Sequence, residues 1–191
     1  KIYGERNTNT NYMSKLIELN LNVMEVPGVV SPIIMKMQKV LPGNELVRDI
    51  YFYLTYGKNL GWKHTCAKSP EELNKYELAN SNLVFLTITK NPYSWLLSLY
   101  RNPYHQYFTD DPSFEVFLQR QWRTIGRDNV KTMLANPIEL WNIKNKSYLQ
   151  LDSKITTNIT TEGIFEDPEA IIQQISQQYS IERKSDRFVN Y

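Results

Sequence analysis

A near-continuous apolar run over residues 83–89 constrains the fold of this chain more than any other feature of its sequence. The run reads Leu-Val-Phe-Leu-Thr-Ile-Thr, and a strand with so few polar positions is typical of a parallel sheet covered on both faces. Lys90-Asn91-Pro92 ends the strand, and a helix rich in Trp and Leu is predicted over residues 93–101. A strand that leads directly into a helix indicates an α/β fold.

The rest of the chain alternates strand-like and helix-like segments. Further strands are predicted over residues 1–3, 23–26, 60–64 and 155–160. Further helices are predicted from residue 11, over 45–56 after a break at Gly43-Asn44, over 71–79, 114–123 and 138–151, and from residue 167. We therefore expect one domain over residues 1–191, an α/β three-layer sandwich with a mostly parallel central sheet.

Composition narrows the function classes. The chain has 22 Lys and Arg against 20 Asp and Glu, and a net charge of +2 argues against nucleic-acid binding, which needs a basic stripe. One cysteine and two histidines argue against a disulfide framework, a Cys-based zinc site or a His-rich metal centre. The chain has no apolar run of about 18 residues to span a membrane, and its opening over residues 1–11 is polar rather than signal-like. We therefore expect a cytoplasmic protein.

A polar loop between the first strand and the first helix is a candidate anion site. Such loops bind phosphate because a helix N-terminus offers free N–H groups and a partial positive charge. Arg6 adds a full charge there, and Thr8 and Thr10 add hydroxyl donors. The loop fits the P-loop pattern at Gly4, but Asn9 stands at the second glycine and Thr10 at the lysine. Because Asn tolerates left-handed backbone, we expect the loop shape to survive.

A second candidate anion element follows the central strand. Lys90 lies at the strand end, and Ser98 follows eight residues later, two turns into the next helix. Open parallel sheets bind ligands at the carboxyl ends of their strands, so both side chains are placed to reach one anion.

These elements resemble the sulfotransferases that use 3′-phosphoadenosine 5′-phosphosulfate (PAPS) and release 3′,5′-adenosine bisphosphate (PAP). Residues 6–12 are similar to the family's loop of the type Pro-Lys-Ser-Gly-Thr-Thr-Trp, which wraps the 5′-phosphosulfate. Lys90, Pro92 and Ser98 match the family's Arg-x-Pro element, with a Ser eight residues after the Arg, which holds the 3′-phosphate.

Two further segments carry the same resemblance. Gly61-Trp62-Lys63-His64 is similar to the strand end where many family members have a catalytic His soon after a Lys. Residues 160–169 resemble the family's late strand, acidic turn and Asp-Pro-Glu helix start.

The resemblance implies a P-loop-type nucleotide-binding fold and transfer of a sulfuryl group from PAPS, without a metal, to a hydroxyl or amine. The acceptor would be a small molecule or a glycan, with a carbohydrate as one candidate. The implied catalytic residues are His64 as the general base, with Lys63 and Arg6 on the departing phosphate. The implied nucleotide-binding residues are Arg6, Asn7, Thr8, Asn9, Thr10, Asn11, Lys90, Ser98, Arg183 and Lys184.

The sequence departs from the family pattern in four places. The family's loop lysine falls on Asn7 and its loop glycine on Asn9, and Lys90 replaces the Arg of the Arg-x-Pro element. The family's C-terminal Arg-Lys-Gly segment is only echoed by Arg183-Lys184-Ser185, so we expect the C-terminal lid to be missing or disordered.

Two other functions stay open at this stage. One is a P-loop-like kinase that uses ATP and magnesium, against which the absent Gly-Lys-Ser/Thr counts. The other is a non-catalytic nucleotide-binding module in which Asn7 marks lost activity. The polar and aromatic residues 100–105 fit a sugar-binding rim and equally an exposed helix end. The oligomeric state is left open.

Overall fold

The computed structural model describes residues 1–40, 44–106, 110 and 112–191. The strands are β1 (Ile2–Gly4), β2 (Phe85–Thr89), β3 (Trp122–Arg123), β4 (Met133–Leu134) and β5 (Thr156–Thr160). The strands β1, β2 and β5 form a parallel sheet in the order β1-β2-β5, and β3 and β4 form a separate antiparallel pair. The central position of β2 explains its apolar run, because β1 and β5 flank it and side chains pack against it on both faces of the sheet.

Helices connect these strands. They are α1 (Thr10–Asn20), α2 (Pro32–Val40), α3 (Asn44–Leu54), α4 (Tyr56–Asn59), α5 (Pro70–Leu73), α6 (Pro92–Arg101), α7 (Phe114–Gln119), α8 (Pro137–Leu149), α9 (Thr161–Glu166) and α10 (Pro168–Gln178). Two short 3₁₀ turns span Glu77–Asn80 and Gly126–Asp128. The predicted α/β class is confirmed. No helix within the described ranges is long and apolar enough to cross a membrane.

Apolar side chains pack on both faces of the sheet. On one face, alternate strand residues pack against α1, α9 and α10; these are Ile2, Leu86, Ile88 and Ile159. On the other face, the Tyr3 ring stacks on Phe85 and on Tyr148 of α8, with centroid distances of 5.8 and 6.0 Å. A third cluster joins α6, α7, β3 and α8 through Trp95, Phe117, Trp122 and Leu140. Strand alternation divides β1 between the two faces, as the pleat requires.

Two predicted strands are wrong. Residues 60–64 form a turn because Leu60 and Gly61 have φ angles of 55° and 85°, outside the extended region. The turn still contacts β1, since the Gly4 N–H donates to the carbonyl of Lys63 at 2.9 Å. Residues 23–26 form no strand either, and Met24 in that segment is 94% exposed.

Two predicted helices are shorter than expected. The helix predicted over 71–79 ends at Leu73, and the chain becomes extended at Tyr76 before the 3₁₀ turn. The helix predicted over 114–123 ends at Gln119, because the chain turns into β3, where Trp122 is buried. The predicted break at Gly43-Asn44 begins outside the described residues, and α3 begins at Asn44.

The carboxyl ends of the three parallel strands meet at one edge of the sheet. The register pairs Gly4 of β1 with Ile88 of β2, and Thr89 of β2 with Thr160 of β5. The strands β1, β2 and β5 are followed along the chain by α1, α6 and α9 respectively, so three helices begin near this edge. The predicted anion elements, the loop and Lys90, therefore lie side by side.

Candidate functional site

The loop between β1 and α1 has a left-handed backbone at two asparagines. The φ angles of Asn7 and Asn9 are 66° and 61°, so the expected left-handed geometry at Asn9 is confirmed. Asn9 is the N-cap residue of α1, although its side chain makes no capping hydrogen bond. The loop folds closely over Gly4, where a Cβ atom would lie 2.7 Å from Thr8 Oγ1 and 2.9 Å from the carbonyl oxygen of Ile88.

Neighbouring elements hold the loop from two sides. Trp95 of α6 donates its indole N–H to the Arg6 carbonyl at 2.8 Å, and Thr161 of α9 donates its hydroxyl to the Thr8 carbonyl at 3.1 Å. In both hydrogen bonds, a carbonyl group of the loop points toward the interior of the protein. The first N–H groups of α1 have no helical partner and give that end a partial positive charge.

A buried ion cluster lies beneath the loop. The Lys144 ammonium of α8, which is 0% exposed, lies 2.8 Å from Glu5 Oε2 and 2.7 Å from Asp128 Oδ1. Arg6 Nη1 donates to Glu5 Oε1 at 3.1 Å and lies 3.8 Å from Asp128 Oδ1. Burial would raise the pKa of Asp128, but Lys144 and Arg6 outweigh burial and hold that pKa well below its usual range. Among the described residues, Arg6 forms its ion pairs with Glu5 and Asp128 through Nη1. The Arg6 side chain also lines the pocket above the loop.

The turn at residues 61–64 brings Lys63 and His64 to the loop. Lys63 Nζ donates to Asn11 Oδ1 at the start of α1, and burial lowers the pKa of Lys63. The carbonyl of His64 accepts from Lys144, which joins the turn to the ion cluster. His64 Nδ1 lies 2.5 Å from the carbonyl oxygen of Gly4.

The protonation of His64 follows from this contact. A carbonyl only accepts hydrogen bonds, so Nδ1 carries the proton and Nε2 keeps its lone pair. Burial and then the Arg6 charge lower the pKa of His64 well below its usual value, so the ring is neutral at pH 7.

A pocket of about 880 Å³ opens above the loop and the turn. Among the predicted site residues, its lining includes Arg6, Asn7, Asn9, Thr10, Asn11, Lys63 and His64. Thr8 is buried below, where its hydroxyl donates to the Glu5 carbonyl at 2.6 Å. The Nδ2 of Asn7 is buried without a hydrogen-bond partner among the described residues, while its Oδ1 accepts from Tyr104 at 2.6 Å.

Lys90 and Ser98 are brought together, as their spacing predicts. Lys90 Nζ donates to Ser98 Oγ at 3.0 Å, and the Ser98 hydroxyl donates to the Ser94 carbonyl at 2.9 Å. The pair follows β2 at the same sheet edge as the loop, but it does not line the pocket itself.

The structure does not bring Arg183 and Lys184 to this edge. Arg183 bridges to Leu21, and the Lys184 backbone N–H donates to the Asn20 carbonyl, both at the C-terminal end of α1. A helix of 11 residues is about 16 Å long, which separates the two basic residues from the loop. Tyr191 lines the pocket instead, and the neighbouring Asn190 accepts a hydrogen bond from Tyr12 at 2.7 Å.

The sequence interpretation gave no role to Trp62 or Arg127. The guanidinium carbons of Arg6 and Arg127 lie over the Trp62 ring, 4.6 and 4.5 Å from its centroid. Trp62 belongs to the segment that carried the family resemblance, whereas nothing near Arg127 in the sequence was a usable signal. Tyr104 and His105 also line the pocket, and both belong to residues 100–105, for which a sugar-binding rim was one of two open interpretations.

No protein-family model matches the chain, and no characterised protein has a significantly similar sequence. The described residues contain no group of three or more His, Cys, Asp and Glu side chains arranged to hold a metal ion.

Proposed function

We propose that this chain is a PAPS-dependent sulfotransferase with a P-loop-type nucleotide site. The observation that carries the proposal is the arrangement of three elements at one edge of a parallel sheet. These are the helix-capped loop after β1, the Lys63–His64 turn above it and the Lys90–Ser98 pair after β2. Each element supplies a group that the transfer needs.

The loop is suited to the 5′-phosphosulfate of the donor. Arg6 and Thr10 line the pocket, and α1 begins at Thr10, so the first N–H groups of the helix lie at the pocket wall. The buried, unpaired Nδ2 of Asn7 stands at the family's lysine position and supplies a neutral N–H donor for an anion. An unpaired buried amide is costly by itself, so an anionic ligand would relieve that cost.

The Lys90–Ser98 pair is suited to the 3′-phosphate. Gly4 pairs with Ile88, so Arg6 and Lys90 each lie two residues beyond paired positions. Neighbouring strands lie about 4.8 Å apart, so one nucleotide can span both elements. A kinase substrate such as ATP has no phosphate to place there.

The chain's own residues suffice for the transfer step. The His64 Nε2 takes the proton from the acceptor hydroxyl as its oxygen forms a bond to sulfur. The bond between that sulfur and the bridging phosphate oxygen breaks, and its electron pair stays on the departing PAP. Arg6 and Lys63 stabilise the charge that grows on this phosphate.

We expect His64 to reach the pKa that a general base needs only when the donor is bound. Burial and the charges of Arg6, Lys63 and Lys144 lower the pKa of His64. An anionic donor offsets those charges and raises the pKa of the imidazole toward the pH where general bases work. Binding of the donor would therefore itself make His64 basic enough to accept the proton.

The kinase alternative is less well supported because of the ion cluster. The Glu5 and Asp128 carboxylates beneath the loop are both paired with Lys144, so neither is free for magnesium. The non-catalytic module remains the second candidate, favoured only by Asn7 at the lysine position. We further propose a cytoplasmic location and a small-molecule or glycan acceptor.

A ligand-binding test separates these functions. Melting temperatures are measured with PAP, with AMP and with ATP plus magnesium. A ligand at 100 times its Kd adds about 2.7 kcal/mol to the free energy of unfolding, or several degrees at about 2–4 °C per kcal/mol. A shift with PAP alone supports the proposal, whereas a shift with ATP plus magnesium alone overturns it.

A second test addresses catalysis with radiolabelled PAPS. In the His64→Asn variant, the side-chain amide can still donate to the Gly4 carbonyl, but the base is lost. We expect a loss of turnover of about 10²–10⁴-fold with PAP binding retained. Full turnover in this variant would show that His64 is not the base, and binding without turnover in the unmodified protein would favour the module.

A further inference from the structure

The second histidine of the chain, His105, also lines the pocket. Its Nε2 lies 2.5 Å from the Arg123 carbonyl oxygen, so Nε2 carries the proton and Nδ1 keeps a lone pair. This Nδ1 is buried without a hydrogen-bond partner among the described residues. The two histidines thus have opposite tautomers, each fixed by a backbone carbonyl, and each leaves one acceptor nitrogen unused.

The segment around His105 is held firmly against its neighbours. Gln106 Nε2 donates to the same Arg123 carbonyl at 2.6 Å, and the His105 ring packs edge-on to Trp122 at 5.9 Å. Tyr104 has a φ angle of 55°, which is costly for a bulky side chain. In this conformation the Tyr104 hydroxyl donates to Asn7, and the Tyr104 ring lies 5.3 Å from the Arg6 guanidinium carbon.

Both histidines are neutral hydrogen-bond acceptors in the free protein at pH 7. Burial and then Arg6 lower the pKa of His105, as they lower that of His64. An uncharged hydroxyl group can donate the hydrogen bond that such a nitrogen accepts.

We propose that His105 is part of the acceptor site and that the acceptor is a polyol, such as a sugar, that presents two hydroxyl groups. His64 Nε2 takes the proton of the reacting hydroxyl, and His105 Nδ1 accepts a hydrogen bond from a second hydroxyl. This inference rests on the proposed function for the reacting hydroxyl, while polyol binding at His105 can be measured without any transfer.

The test uses nitrogen NMR of the ¹⁵N-histidine-labelled protein, in which the two imidazoles give separately assignable signals. The probes are the methyl α-glycosides of glucose, galactose and mannose, each added to the PAP-saturated protein. We expect Nδ1–H at His64 and Nε2–H at His105. We also expect at least one of these neutral glycosides to shift the His105 Nδ1 signal.

Two variants sharpen the result. His105→Phe keeps a ring against Trp122 but removes the acceptor nitrogen, so glycoside affinity should fall about tenfold. The control is Arg101→Gln, which changes an exposed side chain near the same segment that does not line the pocket, so affinity should stay unchanged. An Nδ1–H tautomer at His105, no response to any neutral glycoside, or equal affinity in His105→Phe would overturn the inference. PAP binding in the same samples reports separately on the donor site, so the two proposals fail independently.

Discussion

The loop after β1 and the Lys90–Ser98 pair after β2 lie at the same edge of the sheet but are built in different ways. The loop rests on the buried cluster of Glu5, Arg6, Asp128 and Lys144, whose members come from distant parts of the chain. Lys90 and Ser98 are eight residues apart, and their contact depends only on α6 and the residues just before it. The first element depends on the whole fold, and the second depends on local geometry.

The two elements should therefore respond differently when their residues are changed. Buried ion pairs fix the loop before a ligand arrives, but they make the fold sensitive to the loss of any partner. The Lys90–Ser98 pair is only partly buried, so its loss should weaken binding with little effect on stability. We therefore expect loss of the ion cluster to reduce mainly the stability of the fold, and loss of the Lys90–Ser98 pair to reduce mainly ligand binding.

The largest effect is expected for Lys144→Met. The change leaves the carboxylates of Glu5 and Asp128 buried without their ammonium partner, and such losses cost about 3–5 kcal/mol. Urea denaturation measures the free energy of unfolding. The control is Lys146→Met, an exposed position on the same helix, where a change within about 0.5 kcal/mol is expected. Equal effects in the two variants would show that the cluster does not stabilise the fold.

The next effect is expected for Lys90→Met, and it should appear in binding. A hydrogen bond to a charged group contributes about 1.5–3 kcal/mol, so PAP affinity should fall about 10- to 100-fold. Affinity for AMP, which lacks the 3′-phosphate, and the free energy of unfolding should change little. If Lys90→Met weakened AMP and PAP equally, Lys90 would not recognise the 3′-phosphate.

A smaller loss of stability is expected for Gly4→Ala. The new Cβ atom would lie 2.9 Å from the Ile88 carbonyl oxygen, and such overpacking costs about 1–3 kcal/mol. The matched change Gly57→Ala meets only the Tyr76 ring at 3.5 Å, an ordinary contact, and lies in the short helix α4. We expect Gly57→Ala to be neutral or slightly stabilising, so similar melting temperatures for the two variants would count against a close-packed loop.

The smallest effect is the acid sensitivity of the loop region. The pKa of His64 is lower in the folded state than in the unfolded chain, so stability falls as pH drops below about 6.5. The pKa of Asp128 is also lowered, so its contribution is present above the unfolded pKa and is lost as pH falls through the folded one. Urea denaturation at stepwise lower pH should show both losses. The first loss should be smaller in His64→Asn but not absent, because the pKa of His105 is lowered as well. A pH-independent stability between 6.5 and 4 would contradict the assignment of a buried neutral imidazole.

The parts of the site that sequence could predict are those set by local pattern. The apolar run of β2, the loop before α1 and the eight-residue spacing of Lys90 and Ser98 are each visible within about ten residues. The left-handed backbone of Asn9 followed from its place at a glycine of the P-loop pattern and from the tolerance of Asn for that conformation. Such features need no knowledge of distant contacts.

The remaining parts depend on the tertiary fold. Lys144 lies on the predicted helix over residues 138–151, but nothing in its neighbourhood shows that Glu5 and Asp128 meet it. The basic pair Arg183-Lys184 matched a pattern, yet the path of the chain after α10 takes it to the far end of α1. The strand expected over residues 60–64 failed because two left-handed residues begin the turn, and only Gly61 gave a signal for that.

Isothermal titration calorimetry of the unmodified protein and of Lys90→Met, each with PAP and with AMP, would show whether one nucleotide spans the loop and the Lys90–Ser98 pair. We expect PAP to bind the unmodified protein at least tenfold more tightly than AMP, and Lys90→Met to remove most of this difference. Equal affinity of the unmodified protein for PAP and AMP would overturn the proposed nucleotide site.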